Sequence, residues 1–504
     1  MNKREFLSGA ALAAVASAAL STGQAKARRR VPAGKRHNLL ILTVDDMDVS
    51  LMGYMGCHHD LTPHLDTLAA RSHVFAHNRG AAPICMPSRQ AFMSGLVPHR
   101  NSPGGFTPMY EGTASICSVL HEAGWYCAAS HKTEHMQPQS SFPWDEQVDG
   151  NDRNVLDHEA AFTHAVAAAK AAGRPFFINC NVNDPHRPFY GSHGAAKRDR
   201  ADQGPYGIPR PVGPDAVEVP PFLEDLPDVR LELSQYWNSV QRADIALGRV
   251  LKALEASGEA ANTVVIFCND HGMPFPYSKA TGYDHGTRVP ALVNYPGMGA
   301  PKRFENLACN VDIMPTALDL LGVAVPKGID GRSWLPRMQG STVPEPEFVV
   351  TSVNGVDNGT IYATRAIQDH RYALIYQPWS DGQMQLHVDS ATGLTLAAMR
   401  RAGESDPKIA ERVKNYVFGV PVSFFDRQAD PGERTNLIDA PEHRQRIARM
   451  RDALLKEMAR TSDPQLDNIR TMIAGGTPIV VQPAHKGRQY HMPVQRHGPP
   501  RPAA

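Results

Sequence analysis

The sequence lacks an excess of charge of either sign: across 504 residues, 52 Lys and Arg stand against 51 Asp and Glu. A net charge of +1 gives no general attraction to nucleic acid, so we expect no nucleic-acid partner. Beyond the first 20 residues, no apolar run is long enough to cross a bilayer, and no internal repeat is found. The composition, 42% hydrophobic and 20% charged, is typical of a globular chain with a large core and a smaller second domain.

Closely spaced cysteine pairs are also missing among the seven cysteines. Cys127, Cys180 and Cys268 lie in apolar runs typical of strands, and we predict that they are buried thiols. In an oxidising compartment, one disulfide could form among the remaining cysteines, and this alternative stays open.

Residues 1–27 have the order of an export signal. Basic Lys3-Arg4 precedes a small apolar run from Phe6 to Leu20, and Ala25-Lys26-Ala27 suits a signal peptidase. The Lys-Arg-Glu-Phe-Leu order is close to a twin-arginine signal, with Lys3 in place of the first Arg. The alternative is an uncleaved membrane anchor, but the apolar run is too short to span a bilayer. We therefore predict a periplasmic or secreted protein without a membrane span after signal removal.

Apolar runs and helical patterns alternate along residues 37–340. This alternation predicts an α/β fold whose large, mixed, mostly parallel sheet is sandwiched by helices. Pro-rich residues 344–346 separate it from a smaller α+β subdomain, residues 345–470, with a small antiparallel sheet and a helix. The Pro- and Gly-rich residues 188–227 suggest a lid, and the basic residues 478–504 suggest a flexible tail.

Polar clusters follow four predicted strands, which are residues 37–44, 125–129, 175–182 and 263–268. These clusters are Asp45-Asp46, His131-Lys132 with His135, Asp184 with His186, and Asp270-His271. Because the carboxyl ends of parallel strands meet at one edge of a sheet, we expect the clusters to form one site. Adjacent carboxylates behind a buried strand are costly without a cation, so Asp45 and Asp46 favour a hard metal ion. A solvated, helix-capping turn is the alternative.

A cysteine at the start of a predicted helix is the most specific motif. Cys85-Met86-Pro87-Ser88-Arg89 is followed by Met93-Ser94-Gly95. This resembles the sulfatase signature, Cys-x-Pro-Ser-Arg with a Leu or Met, a Thr or Ser and a Gly downstream. In that family a dedicated enzyme oxidises the cysteine to formylglycine, whose hydrated aldehyde is the nucleophile. The alternative is a buried free cysteine before a short helix. The resemblance implies an alkaline-phosphatase-like fold, with residues 37–340 as the catalytic domain.

The resemblance extends from about Asn38 to about Pro464 and implies a role for each matching residue. The ligands of a divalent cation, usually calcium, would be Asp45, Asp46, Asp270, His271 and the formylglycine made from Cys85. Arg89 would orient the nucleophile, and Lys132 would contact it. His186 and Lys279 would bind the sulfuryl oxygens and assist the leaving group. His135 would be the base that restores the aldehyde.

Two positions depart from the family pattern. The metal pair is commonly Asp-Asn, whereas it is Asp270-His271 here, and a ring nitrogen is a softer ligand, which leaves the metal identity open. The family's Lys-x-His is one residue longer here, so Glu134 and His135 both remain candidates for the base.

Pro274-Phe275-Pro276 and Asp184-Pro185-His186-Arg187 are, within this family, most similar to the heparan N-sulfatases. The sequence therefore predicts a sulfatase that acts on a sulfated saccharide, with N-sulfoglucosamine of heparan-type glycans as the favoured substrate and a formylglycine-generating enzyme as maturation partner. Two alternatives stay open. One is a phosphonate or phosphate ester hydrolase on the same scaffold, and the other is a catalytically silent glycan-binding relative whose Cys85 is never oxidised.

Overall fold

The computed structural model describes residues 36–150, 152–192 and 208–480. The predicted export signal, the middle of the predicted lid segment and residues 481–504 of the predicted tail lie outside these ranges. Within the described ranges, no helix is both long and apolar enough to span a bilayer.

An eight-stranded sheet forms the centre of the fold. Its strands are β1 Asn38–Val44, β2 His73–Arg79, β3 Tyr126–Ser130, β4 Glu146–Val148, β5 Phe176–Val182, β6 Thr263–Asn269, β7 Ala291–Asn294 and β8 Arg303–Cys309. The spatial order is β4-β3-β5-β1-β6-β7-β2-β8. Strand β7 runs antiparallel to both neighbours, and the other pairings are parallel. The predicted mixed, mostly parallel sheet is thus confirmed, and the continuous apolar runs of β1, β5 and β6 are fully buried.

Helices alternate with strands along the described part of the chain. They are α1 Pro63–Ala70, α2 Cys85–Ser94, α3 Pro98–Asn101, α4 Ile116–Ala123, α5 Val155–Ala171, α6 Pro227–Ala256, α7 Asp284–Thr287, α8 Ile313–Leu320, α9 Leu335–Met338, α10 Leu394–Gly403, α11 Pro407–Phe418, α12 Arg444–Arg460 and α13 Leu466–Ile473. The long α6 starts with Pro at its first position, where no intrahelical N–H is needed. Its Val229, Leu233, Trp237 and Val240 recur at helical spacing and join the core formed with β1, β5 and β6.

A second, antiparallel sheet lies in the C-terminal part of the chain. Its strands are β9 Val349–Gly355, β10 Ile361–Gln368, β11 Tyr372–Tyr376 and β12 Val422–Asp426, in the order β12-β11-β10-β9. Apolar residues of α12 and α13, including Met450, Leu454 and Ile469, pack against Leu374 and Phe424 of this sheet. The predicted small antiparallel sheet and helix are therefore present. The domain boundaries proposed from sequence remain a prediction.

All seven cysteines lie in the described residues, and all are free thiols. Cys127, Cys180 and Cys268 are fully buried, as predicted from their apolar surroundings. The disulfide left open by the sequence is not formed.

A buried ion pair connects the small sheet to the turn after α12. Arg365 of β10 donates from Nε and Nη2 to the two carboxylate oxygens of Asp463, at 2.6 and 2.8 Å. Both side chains are at most 2% exposed. Burial raises the pKa of Asp463, but the guanidinium outweighs burial and lowers that pKa below its usual value.

We expect Arg365→Ala to destabilise the protein by about 3–5 kcal/mol, because it leaves the carboxylate of Asp463 buried without its partner. The readout is the denaturation midpoint. Since the folded-state pKa of Asp463 is lowered, the pair stabilises above the usual carboxyl pKa, and its contribution is lost as pH falls through the folded value. The difference in denaturation midpoint between Arg365→Ala and wild type should therefore become smaller at acidic pH.

Arg470→Ala is the matched control, because Arg470 and Asp467 form an ion pair whose side chains are 56% and 92% exposed. It should cost less than about 1 kcal/mol. Equal midpoints for the two variants at neutral pH would contradict the assigned role of Arg365.

Candidate active site

The carboxyl ends of four adjacent strands, in the order β3-β5-β1-β6, carry the polar clusters expected from sequence. Asp45 directly follows β1, and Asp270 directly follows β6. Lys132 and His186 come from the loops after β3 and β5. The predicted convergence at one edge of a parallel sheet is confirmed, and this edge is where α/β proteins place their chemistry.

Cys85 is the first residue of α2, after Ile84 in extended conformation. Its Sγ lies 3.4 Å from Asp45 Oδ1 and 3.1 Å from His271 Nε2. Ser88, one turn further along α2, donates to the backbone carbonyl of Asp270 at 2.6 Å. The Ser of the Cys-x-Pro-Ser-Arg motif therefore ties the helix to the end of β6 and fixes Cys85 against the acidic residues.

Three fully buried carboxylates, Asp45, Asp46 and Asp270, lie at this edge. One ligand atom each from Asp45, Cys85, Asp270 and His271 lies within 4.8 Å of the others. Among the described residues, Asp46 Oδ1 and Asp270 Oδ2 accept no hydrogen bond of good geometry, although Lys279 Nζ lies 2.8 Å from the first and Arg89 Nη2 lies 3.1 Å from the second. Three carboxylates buried side by side repel one another and are costly without enough positive charge, so the cluster fits a divalent cation.

His271 is oriented for such a cation. Its Nδ1 lies 3.0 Å from the carbonyl oxygen of Gly272, so Nδ1 carries the proton and donates. The lone pair of Nε2 then faces Cys85 and lies 3.6 Å from Asp270 Oδ2. The Asp270-His271 pair thus presents one carboxylate and one imidazole nitrogen, in place of the two oxygens of an Asp-Asn pair.

The pKa values of the two adjacent acids are shifted in opposite directions. Burial raises the pKa of both, but Lys132, His186 and Arg89 outweigh it at Asp45 and hold that pKa well below its usual value. At Asp46 burial prevails over Lys279, and the neighbouring acids add to it, so its pKa is well above the usual value. Asp46 is therefore the acid of the pair whose ionisation the surrounding protein disfavours.

Arg89 is fully buried and contacts three strand ends. Its Nη1 donates to Thr43 Oγ1 at 3.0 Å and to Asn181 Oδ1 at 2.6 Å. Its Nη2 lies 3.4 Å from Asp45 Oδ2 and 3.1 Å from Asp270 Oδ2. Asn181 was not predicted from sequence, because an Asn inside a strand has no pattern that marks it as a site residue.

Asn181 also positions Lys132. Its Nδ2 donates to the carbonyl oxygens of Ser130 and His131, at 3.0 and 2.9 Å. His131 and Lys132 both have positive φ, at 55° and 50°, a conformation that is costly outside glycine. Held in this way, the Nζ of Lys132 reaches Asp45 Oδ2 at 2.9 Å.

Asp46 also belongs to a second group of charged side chains, formed with Lys279, His186 and Asp389. The Nζ of Lys279 lies 2.8 Å from Asp46 Oδ1 and 2.7 Å from Asp389 Oδ2. His186 Nε2 lies 3.9 Å from a carboxylate oxygen of each acid. Burial acts to raise the pKa of Asp389, but Lys279 and His186 lower it to about 2. Asp389 belongs to the C-terminal part of the chain and was missed, because no motif surrounds it.

The two candidates for the base have different surroundings. His135 is buried, and among the described residues its Nδ1 has no hydrogen-bond partner. The side chain of Glu134 is 54% exposed, 3.7 Å from His135 Nε2. Burial, followed by the charges of Lys132 and Arg89, lowers the pKa of His135 well below its usual value. The ring is therefore neutral and able to accept a proton.

Asp184 was expected at the same edge, but its carboxylate is engaged elsewhere. It lies 2.5 Å from Arg153 Nη1 and 2.6 Å from Arg242 Nε, and all three side chains are buried. Of the predicted Asp184 and His186 cluster, only His186 reaches the charged group at Asp46.

Comparison with known proteins agrees with this geometry. The sulfatase family model matches residues 37–323, which is more than half of the chain. The chain belongs to the sulfatase family. A second family model, described as the C-terminal part of N-sulphoglucosamine sulphohydrolase, matches residues 270–386. This sulfatase is therefore a sulfuric ester hydrolase.

Characterised relatives span most of the chain. N-sulphoglucosamine sulphohydrolase of Homo sapiens is 28% identical over 465 residues, covering 85% of this chain and 91% of the human protein. An ulvan-active sulfatase of Formosa agariphila is 24% identical, covering 83% of this chain and 74% of its own. A solved structure in complex with D-glucosamine-2-N,6-O-disulfate has a TM-score of 0.62 at 16% identity, covering 86% of this chain and 99% of the other. At that identity, the last likeness shows the fold alone.

We expect Gly272→Ala to reduce sulfatase turnover and stability, because a Cβ on Gly272 would lie 1.6 Å from the carbonyl oxygen of His285. The backbone that positions His271 would have to move, and overpacking of this kind costs about 1–3 kcal/mol. Turnover and the thermal midpoint are the measurements. Gly299→Ala is the control, since its Cβ would meet nothing within 4 Å. Equal behaviour of the two variants would contradict the close packing assigned to Gly272.

Proposed function

We propose that this sulfatase removes sulfate from sulfated glycans, with N-sulfoglucosamine residues of heparan-type saccharides as the favoured substrate. The support for a glycan comes from the substrates named for its relatives, and the support for the N-sulfated sugar comes from the match of residues 270–386. The export signal expected at residues 1–27 would place the enzyme in the periplasm or outside the cell.

The observation that carries the proposal is a group of basic side chains on the acids beside Cys85. Arg89 and Lys132 contact Asp45 beside it, and Lys279 and His186 contact Asp46. A sulfate ester or sulfamate resists attack because its oxygens are anionic, so hydrolysis needs donors aimed at those oxygens. Arg89, Lys132 and Lys279, together with His186 once its ring has taken up a proton, can neutralise the sulfuryl group while a nucleophile at position 85 attacks it.

A divalent cation would be held by Asp45, Asp46, Asp270 and His271, whose clustered carboxylate oxygens and unprotonated ring nitrogen fit it. When bound, it supplies a Lewis acid that polarises a sulfuryl oxygen. We favour Ca²⁺ because three of the four ligands are carboxylates. The imidazole of His271 also suits softer metals.

Cys85 is a poor nucleophile as a thiol. Burial, with Asp45 adding to it, raises the pKa of its thiol well above the usual value, so little thiolate forms at neutral pH. Following the sulfatase signature at Cys85-Met86-Pro87-Ser88-Arg89, we propose that a formylglycine-generating enzyme converts Cys85 to formylglycine, whose hydrated aldehyde supplies a hydroxyl nucleophile. Arg89 and Lys132 would orient that hydroxyl, and the neutral ring of His135 would accept the proton when the aldehyde is restored.

Lys279 and His186 would act on the other side of the substrate. Burial lowers the pKa of Lys279, but Asp389 and Asp46 outweigh it and raise that pKa well above the usual value, so the amine stays charged. Burial, together with Lys132 and Lys279, keeps the pKa of His186 low. An arriving sulfuryl anion favours the protonated ring. Substrate binding would therefore protonate His186, which could then donate that proton to the leaving group.

We expect purified protein with oxidised Cys85 to release sulfate faster from N-sulfoglucosamine than from 6-O-sulfated glucosamine, because the favoured substrate is the sulfamate. Ion chromatography of released sulfate is the measurement, and Cys85→Ala is the blank. Faster turnover of an aryl phosphonate than of any sulfate would support the phosphoester hydrolase instead. Glycan binding without turnover by protein whose Cys85 stays unmodified would support the silent relative.

Asp389→Asn should lower kcat/KM by about 10- to 100-fold, corresponding to about 1.4–2.7 kcal/mol, because Lys279 loses one of its two carboxylate partners. Steady-state kinetics on the preferred substrate is the measurement. Asp439→Asn, a change at an exposed acid, is the control. An unchanged kcat/KM in Asp389→Asn would show that Lys279 is positioned without it.

A further inference from the structure

Two histidines and a glutamate form a second cluster of metal-ligating side chains, composed entirely of residues outside the active site. His58 and His59 lie in the loop before α1, and Glu218 lies in the segment that leads into α6. The Nε2 atoms of both rings are 3.3 Å from the same oxygen, Oε1 of Glu218. One ligand atom from each residue lies within 4.8 Å of the other two. We call His58, His59 and Glu218 the surface triad.

We propose that the surface triad binds a zinc-class divalent cation. Two ligand atoms about 2.0–2.1 Å from a zinc ion at the tetrahedral angle lie about 3.3 Å apart. That separation is the one observed from Glu218 Oε1 to each ring nitrogen. Imidazole nitrogen with a carboxylate oxygen suits Zn²⁺, whereas Ca²⁺ takes six to eight oxygens.

The triad is not explained by hydrogen bonding alone. His59 Nε2 is shielded from solvent, yet among the described residues it has no hydrogen-bond partner, although Glu218 is only 3.3 Å away. The two rings lie with centroids 4.1 Å apart, so two protonated imidazoles would repel each other. A cation between neutral rings and the carboxylate satisfies the nitrogen lone pairs and removes that repulsion.

The surroundings of the triad support a shaped site. The ring of His59 packs against buried Trp237 of α6 at a centroid distance of 4.7 Å, which limits its movement. The side chains of His58 and Glu218 are 71% and 66% exposed, so an ion can enter from solvent and keep water as a further ligand. A bound ion would join the loop before α1 to the segment before α6, beside the ion pair of Asp60 with Arg210.

The test is calorimetric titration of untagged, full-length protein with Zn²⁺ in excess Ca²⁺, which competes for the oxygen-rich active site. Wild type should bind one Zn²⁺ that His58→Ala and Glu218→Gln each weaken by more than about tenfold. His164→Ala is the matched control, because His164 also lies 3.0 Å from one carboxylate, that of Glu146, and its side chain is 69% exposed. Among the residues that the structure describes, no third His, Cys, Asp or Glu completes a metal-binding group with this pair. The Zn²⁺ isotherm of His164→Ala should equal that of wild type.

Thermal unfolding gives an independent readout, because an ion bound only by the folded state raises the midpoint. Zn²⁺ should raise the midpoint of wild type and of His164→Ala more than that of His58→Ala or Glu218→Gln. If either triad variant binds Zn²⁺ as wild type does, or if wild type binds none in excess Ca²⁺, the proposal is wrong. If Zn²⁺ binds at another site on the protein, its affinity there would be the same in wild type and in the triad variants, which distinguishes that site from the surface triad.

Discussion

The buried guanidinium of Arg89 is the interaction on which the active site depends. It lies one helical turn from Cys85 on α2, so its position and that of the cysteine are set together. From there it reaches Thr43 and Asp45 at the end of β1, Asn181 of β5 and Asp270 after β6. Three strands and one helix are therefore held in register by one planar, permanently charged group. A lysine could not make these divergent contacts.

The sheet topology explains why such a contact is available. Strands β5, β1 and β6 are consecutive in space although they are far apart in sequence, and their parallel pairing ends at the same edge. Asp46, with φ of 69°, turns the chain sharply after β1, and Tyr236 of α6 donates to its carbonyl oxygen at 2.6 Å. The strain at Asp46 is thus supported by the long helix that packs in the core.

The sequence was sufficient to predict the parts of the molecule that follow local rules. Continuous apolar runs identified β1, β3, β5 and β6, and the residues after them identified Asp45, Lys132 and Asp270. Strands β2, β4, β7 and β8 were not predicted. Strands β2 and β8 carry polar residues such as His73 and Glu305, and β4 and β7 are only three and four residues long. Helices α10 and α11 were also missed. Asn181 and Asp389 could not be found, because their partners are set by tertiary contacts over 92 and 110 residues.

The net charge of the active site depends on its acids and bases taken together. Four carboxylates, those of Asp45, Asp46, Asp270 and Asp389, face three permanent cations, Arg89, Lys132 and Lys279, so the site would carry one net negative charge with all four acids ionised. The excess negative charge explains why burial and the neighbouring acids raise the pKa of Asp46. A divalent cation would turn this excess into one positive charge, and a singly charged sulfuryl group would then neutralise the site. The protein by itself is therefore unsuited to bind an anion, and its carboxylates make anion binding conditional on the metal.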